Sequence, residues 1–245
     1  MSFYVIIPAR YKSTRLSAKL LRIINNKPLI QYSYENAIKS NAYKVIIATD
    51  DKRIKSVCED FGAKVLMTNK NHTSGTSRIA EAITKLNLKD NEIVVNLQGD
   101  EPLLPFELIN QVADNLKSSK VKVTTLCERI KKYEIFKDPN CVKVVFDKDN
   151  YALYFSRATI PYNRDDKNNS LKFGAYKHIG IYAYYAGFIK NYLQLSPSAI
   201  ENIEKLEQLG ILFHGYKIHI DIAKKSSGIG VDTIDDLKKI RGILS

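Results

Sequence analysis

Residues 4–7 form an unbroken apolar run, and a block of cations follows almost at once. A run without polar alternation predicts a strand buried on both faces of a sheet. Pro8 is expected to end that strand. Arg10, Lys12, Arg15 and Lys19 come next, interleaved with Ser13 and Thr14. α/β folds bind ligands in the loops beyond the carboxyl ends of parallel strands. Backbone N–H groups, hydroxyls and cations gathered in such a loop suit a polyphosphate. A solvated basic loop is the ordinary alternative, but the position directly after the first strand favours an anion site.

Strand and helix patterns alternate through the following residues. A helix is expected over 28–40, with Leu29, Ile30, Tyr34, Ala37 and Ile38 on one stripe, and a strand over 44–48. A helix over 51–61 stops at Gly62, and a short strand covers 63–67. Further helices are expected over 74–86 and 105–116, and further strands over 93–97 and 121–126. This order predicts an α/β fold, a mostly parallel sheet with helices on both faces. The pattern then changes. Residues 128–185 carry short β-like pieces (142–146 and 179–185) around a polar stretch at 163–172, which reads as an inserted subdomain with a mobile loop. Tyr151, Tyr154, Phe155, Tyr162, Tyr176, Tyr182, Tyr184 and Tyr185 concentrate there, as a small separate core or a subunit interface. A helix over 199–209, a strand over 217–222 and a last helix capped by Thr233 complete the chain.

Several function classes are disfavoured. There is no G-x-x-x-x-G-K-[ST], and Gly228-Ile229-Gly230 lacks the third glycine of a dinucleotide loop. Cys58, Cys127 and Cys141 are scattered without C-x-x-C, which points to reduced thiols in the cytosol and against a zinc site. His72, His178, His214 and His219 show no H-E-x-x-H spacing. No stretch is long enough to cross a bilayer, so no membrane partner is expected. The net charge of +12 invites a nucleic-acid reading, but the lysines are spread along the whole chain. They read as a solvated surface, with weight left for anionic substrates and weak polyanion binding rather than a specific nucleic acid.

Asp50, Asp100 and Asp232 stand at the ends of expected strands or at helix entrances. A helix cap is the ordinary role for such an aspartate. Asp100, however, follows the most apolar strand and should enter the same cleft as the basic loop. Mg²⁺ prefers carboxylate oxygen and water, and a polyphosphate needs a hard cation. The pairing suggests metal-assisted phosphoryl or nucleotidyl transfer.

The residues also carry a resemblance. The segments are 7–16 (Ile-Pro-Ala-Arg-Tyr-Lys-Ser-Thr-Arg-Leu) with Lys19, Ala48-Thr49-Asp50, His72-Thr73-Ser74-Gly75-Thr76 with Arg78, and Gln98-Gly99-Asp100-Glu101-Pro102. To these add 151–161 (Tyr-Ala-Leu-Tyr-Phe-Ser-Arg-Ala-Thr-Ile-Pro), 178–182 (His-Ile-Gly-Ile-Tyr), 204–208 (Glu-Lys-Leu-Glu-Gln) and Gly230-Val231-Asp232-Thr233. Over essentially its whole length the chain resembles the 3-deoxy-manno-octulosonate (Kdo) cytidylyltransferases of Gram-negative bacteria. The first and fourth segments occur more widely among sugar nucleotidyltransferases, whereas 151–157 with 178–182 is far more specific.

The resemblance implies a Rossmann-like nucleotidyltransferase fold with a smaller dimerisation part, placed at about 128–185, and a cytoplasmic homodimer. It implies transfer of CMP from CTP to Kdo for lipopolysaccharide biosynthesis. By motif match, Arg10, Ser13, Arg15 and Lys19 would hold CTP, and Asp100 and Asp232 would hold Mg²⁺. His72, Ser74, Thr76 and Arg78 would line the cytosine and ribose side, with Gln98 also binding substrate. Arg157, His178, Tyr182, Glu204 and Gln208 would surround the sugar acid. Arg10, Lys19 and Asp100 would carry the chemistry. A cytidylyltransferase for another acidic sugar, such as a sialic acid, and a non-catalytic polyanion binder on the same fold are the alternatives. The first loop departs from the family, which usually has Leu-Pro-Gly-Lys-Pro-Leu where this chain has Leu16-Ser17-Ala18-Lys19-Leu20-Leu21. Ser77 stands where the family often has Glu.

Overall fold

In a computed structural model, which describes residues 2–12, 16–165, 171 and 174–244, the first strand, β1 (Phe3–Ala9), is buried on both sides. Successive side chains of a strand point to opposite faces. Phe3, Val5, Ile7 and Ala9 accordingly enter one core and Ile6 the other. Pro8 lies inside β1 and does not end it. The pairing of β1 with β6 (Ile93–Asn96) stops at Ile6↔Asn96, so beyond that point only one neighbour needs ladder bonds and a residue without N–H is tolerated.

The remaining strands are β2 (Ile23–Ile24), β3 (Lys27–Pro28), β4 (Lys44–Thr49), β5 (Val65–Met67), β7 (Val123–Arg129), β8 (Lys143–Phe146), β9 (Ala152–Ser156), β10 (Tyr176–Tyr185) and β11 (Ile218–Ile222). The helices are α1 (Leu29–Ile38), α2 (Lys52–Asp60), α3 (Gly75–Lys85), α4 (Phe106–Ser118), α5 (Tyr133–Lys137), α6 (Ala186–Tyr192), α7 (Ala199–Glu204), α8 (Glu207–Phe213) and α9 (Ile234–Leu244). The main sheet runs β11-β7-β10-β6-β1-β4-β5. Every strand on that path points the same way except β10, which pairs antiparallel with both β6 and β7. The expected mostly parallel α/β sheet is therefore what forms.

Helices cover both faces. Ile30 and Ala37 of α1, Ile54 and Cys58 of α2 and the Leu108–Leu116 stripe of α4 pack on one side. Ile79 and Ile83 of α3, Phe188 and Ile189 of α6 and Leu209 of α8 pack on the other. Residues 128–185 straddle this arrangement, because β10 belongs to the main sheet while β8 and β9 extend it as an antiparallel pair on β10. The aromatic residues expected there as a separate core or an interface mostly join the main core. Tyr182, Tyr184, Phe188 and Tyr192 stack in series within it, whereas Tyr162 is exposed. The 163–172 stretch lies partly outside the described residues. The single helix expected over 199–209 is two, since Lys205 takes the left-handed conformation (φ 55°, ψ 48°) between α7 and α8. Thr233 caps α9 as expected, its Oγ1 accepting from the Asp236 N–H at 3.2 Å. No helix among the described residues is long and apolar enough to cross a membrane.

Candidate active site

A cleft of about 470 Å³ opens beyond the carboxyl ends of β1 and β6. One wall comes from Pro8 and Arg10 after β1, Lys19, and residues 72–76 and Arg78 leading into α3. Its floor is Asn96 and the 98–100 loop, and its far wall is His178, Tyr182 and Tyr184 of β10 with residues 205–208. The 98–102 loop is held from behind: Ser33 Oγ donates to the Gly99 carbonyl at 3.1 Å and Asn36 Nδ2 to that of Pro102 at 3.0 Å. The Val231 N–H donates to the Asp100 carbonyl at 2.9 Å, which brings Asp232 beside Asp100.

The Lys19 ammonium is hydrogen-bonded to Asp100 and, at 2.9 Å, to Asp232. Burial alone would lower its pKa, but the two carboxylates outweigh burial and hold it above the ordinary lysine value. Glu101 shows the converse. Burial and the repulsion of Asp100 and Asp232 push it up to about 8. The two aspartates therefore converge on a point that demands positive charge. Among the described residues no cluster of three metal-binding side chains exists, so the protein would supply two carboxylates. Two hard oxygen donors, with phosphate and water completing the shell, are what Mg²⁺ takes; the residues fit the metal.

The α3 entrance lines the cleft with a capped helix N-terminus. Ser74 caps the helix, its Oγ accepting from the Ser77 N–H at 3.1 Å, while Ser77 Oγ donates back to the Ser74 carbonyl. A serine thus completes a cap where the family often has glutamate. A helix N-terminus presents N–H groups and a positive dipole end. The turn at Gly75 sits against β1, where an added Cβ would come into ordinary contact with Pro8 Cγ at 3.4 Å. His72 Nε2 lies 2.5 Å from Glu81 Oε2, and Thr76 Oγ1 donates to Glu207 Oε2 at 2.6 Å. Burial would raise Glu81, but Lys85, the Asn69 N–H and His72 bring it to about 2. Arg78 is buried and already engaged, paired with Asp50 at 2.9 Å and bonded to Thr68 at 2.5 Å.

On the far wall, a bulge in β10 between Ile179 and Tyr182 interrupts its pairing with β7. Thr125 Oγ1 fills the gap, donating to the Ile181 carbonyl at 2.7 Å. Its one proton spent, that oxygen accepts from His178 Nε2 at 3.0 Å, which leaves Nδ1 as an acceptor. Burial pushes His178 down to about 3, so the ring is neutral. The Tyr182 hydroxyl is buried without a partner at the cleft surface, and Gln208 is buried beside it.

Of the residues singled out from sequence, Arg10, Lys19, His72, Ser74, Thr76, Arg78, Gln98, Asp100, His178, Tyr182, Gln208 and Asp232 line this one cleft. Ser13 and Arg15 lie outside the described residues. Arg157 and Glu204 are not in the cleft wall. Arg157 instead donates through Nε to the Glu204 carbonyl at 2.8 Å and through Nη1 to that of Pro139 at 2.9 Å. Glu204 accepts from Ser156 Oγ at 2.5 Å and the Arg157 N–H at 2.9 Å. Sequence reasoning missed Glu207 and Lys205, although both fall within the quoted 204–208 segment.

The cytidylyltransferase family model matches residues 4–220. The chain is 56% identical over 241 residues to the 3-deoxy-manno-octulosonate cytidylyltransferase of Ruthia magnifica subsp. Calyptogena magnifica, covering 98% of both chains. It is 51% identical over 252 residues to the enzyme of that name from Haemophilus influenzae, covering 100% of this chain and 99% of that one. A solved structure of CMP:2-keto-3-deoxy-manno-octonic acid synthetase complexed with CTP superposes with a TM-score of 0.92 at 38% identity, over 100% of this chain and 98% of that one.

Proposed function

The chain belongs to the cytidylyltransferase family, and from that premise we propose that it transfers CMP from CTP to Kdo for lipopolysaccharide biosynthesis. The observation that carries this reading is the Lys19 ammonium held between Asp100 and Asp232 in a cleft at the strand ends. The anomeric hydroxyl of the sugar acid attacks the α-phosphorus of CTP. The bond to the β-phosphate breaks, pyrophosphate leaves and the hydroxyl proton is lost. Such a displacement needs positioning and charge neutralisation more than a protein nucleophile.

Arg10 and Lys19 neutralise the phosphates, the α3 entrance offers backbone N–H groups, and Ser74 and Thr76 line the cytosine and ribose side. Asp100 and Asp232 would hold Mg²⁺, and the ion would supply shielding of the phosphate charge. His178 Nδ1, the Tyr182 hydroxyl and Gln208 hydrogen-bond the sugar. The reaction is cytoplasmic, and a homodimer assembles through residues 128–185, where Leu153 and Tyr162 are exposed.

The test is pyrophosphate release from CTP with Mg²⁺ and a panel of sugar acids including Kdo and a sialic acid. Turnover with Kdo above the others is expected, together with its loss in Asp100→Asn. No release with any sugar acid, or full activity in Asp100→Asn, would overturn the reading.

A further inference from the structure

We propose that Lys205 binds the carboxylate of the sugar acid and so selects acidic over neutral sugars, an inference that rests on the transferase reading above. Four described cations line the cleft: Arg10, Lys19, Arg78 and Lys205. Arg78 is buried against Asp50 and Thr68. Lys19 is shared between Asp100 and Asp232. Arg10 follows β1 on the α3 side, with the phosphate-binding features. Lys205 alone enters from the opposite wall, between α7 and α8, beside Leu206 and Gln208 and on the side of His178 and Tyr182. It is exposed and forms no ion pair with the described residues.

The other charged side chain of the far wall, Glu207, is turned to the α3 side, where its Oε2 accepts from Thr76 Oγ1 at 2.6 Å. His178 is neutral and Tyr182 offers an unpartnered hydroxyl. A carboxylate entering this wall meets hydrogen-bonding groups for its neighbouring hydroxyls and one ammonium for itself. Charge-assisted hydrogen bonds of this kind are the strong ones, and they separate an acid from its neutral analogue.

The backbone at Lys205 supports the assignment. A left-handed conformation suits glycine and is disfavoured for a residue with a Cβ. Strain of this kind persists where the surroundings over-determine it. Here the residue before the elbow is clamped, through the four hydrogen bonds that join Glu204 to Ser156 and Arg157 and Arg157 to Pro139. The buried Lys143 ammonium adds a bond to the Arg157 carbonyl at 2.5 Å. Arg157 and Glu204 are thus positioning residues, and they fix the elbow that presents Lys205.

The experiment uses the full chain with CTP, Mg²⁺ and either Kdo or its C1 amide. Lys205→Gly removes the ammonium while keeping the left-handed elbow, and Lys205→Arg keeps the charge. Lys205→Gly should raise the KM for Kdo about tenfold or more, leave the KM for CTP within about twofold, and lower the preference for acid over amide about tenfold. Lys205→Arg should retain that preference. Arg157→Ala should raise the KM for Kdo in the wild-type background and add little in Lys205→Gly. An unchanged KM for Kdo and an unchanged acid preference in Lys205→Gly would remove Lys205 from the sugar site. Equal rises in both KM values would do the same. If the wild-type chain releases no pyrophosphate with any sugar acid, the transferase reading falls first and this assignment with it.

Discussion

Thr76 Oγ1 donates a hydrogen bond to Glu207 Oε2 at 2.6 Å, joining the first turn of α3 to the first turn of α8 across the cleft. Two walls that are 131 residues apart in sequence meet at this contact. A hydrogen bond to a charged group contributes about 1.5–3 kcal/mol, less where water competes. Glu207→Ala should lower stability by about 1 kcal/mol, while Glu207→Gln keeps an acceptor and should cost less. Urea unfolding of the three proteins reads this order; equal losses for both variants would mean that the contact contributes nothing.

Lys19 satisfies two carboxylates at once. In Lys19→Ala they repel each other without a cation between them. Added Mg²⁺ should then raise the melting temperature of the variant more than that of the wild type, because binding to the folded state alone stabilises it. The same variant should lose at least about tenfold in kcat/KM, as expected for a charge-assisted phosphate contact. A melting temperature that responds to Mg²⁺ identically in both proteins would separate Asp100 and Asp232 from the metal.

Ala18 directly precedes Lys19 and holds φ 51° and ψ 34°. That is the position at which the resembling family carries glycine. Removing the Cβ relieves about 1 kcal/mol of strain, partly offset by about 0.5–1 kcal/mol of extra chain entropy in the unfolded state. Ala18→Gly should therefore be neutral to slightly stabilising. Its sharper effect should be a lower KM for CTP, since Lys19 can then move from the carboxylates to the phosphates with less backbone strain. A raised KM would show that the strained alanine aids binding.

His178 links the site to pH. An unfolded histidine titrates near about 6.5, whereas burial holds this one down to about 3. Between about pH 6 and pH 4 the unfolded chain binds a proton that the folded chain refuses. Stability therefore falls on acidification through that window, by up to about 1.4 kcal/mol per pH unit for one proton. Urea midpoints across the window should fall less steeply in His178→Asn. Parallel curves would show that His178 protonates in the folded chain.

Much of this was readable from local sequence. Gly62 takes φ 83° where the second helix was expected to stop, and Asp51 and Ser74 cap the helices that they precede. Arg10, Asp100 and the α3 entrance follow strand ends, so their convergence follows from a parallel sheet. The hairpin of β2 and β3 was missed although its turn, Asn25-Asn26 with φ of 44° and 65°, is the kind of pair that favours positive φ. Other features have no local signal. Residues 199–209 contain neither Gly nor Pro, so the break at Lys205 has no local signal, and the bonds that hold Glu204 beside it come from residues 156 and 157, distant in sequence. Arg157 and Glu204 are polar residues in a substrate-linked segment, and only the three-dimensional arrangement shows that they bond each other and backbone carbonyls. The reversed direction of β10 is equally invisible, because an apolar strand reads the same whichever way it is inserted.

That reversed strand has a consequence for how the chain is made. β6 is buried at every position, yet its neighbour β10 lies in a segment synthesised much later. While a ribosome is still producing residues 97–175, β6 carries an apolar edge with unpaired N–H and C=O groups, a template for pairing with another chain. A fragment ending at Ser118 would keep β1, β4, β5 and β6 but leave that edge open permanently, and aggregation rather than an independent nucleotide-binding half is its expected fate. Closure of the sheet therefore waits for the same strand that delivers His178 and Tyr182, so a chain whose sheet has closed already carries the β10 part of the cleft's far wall.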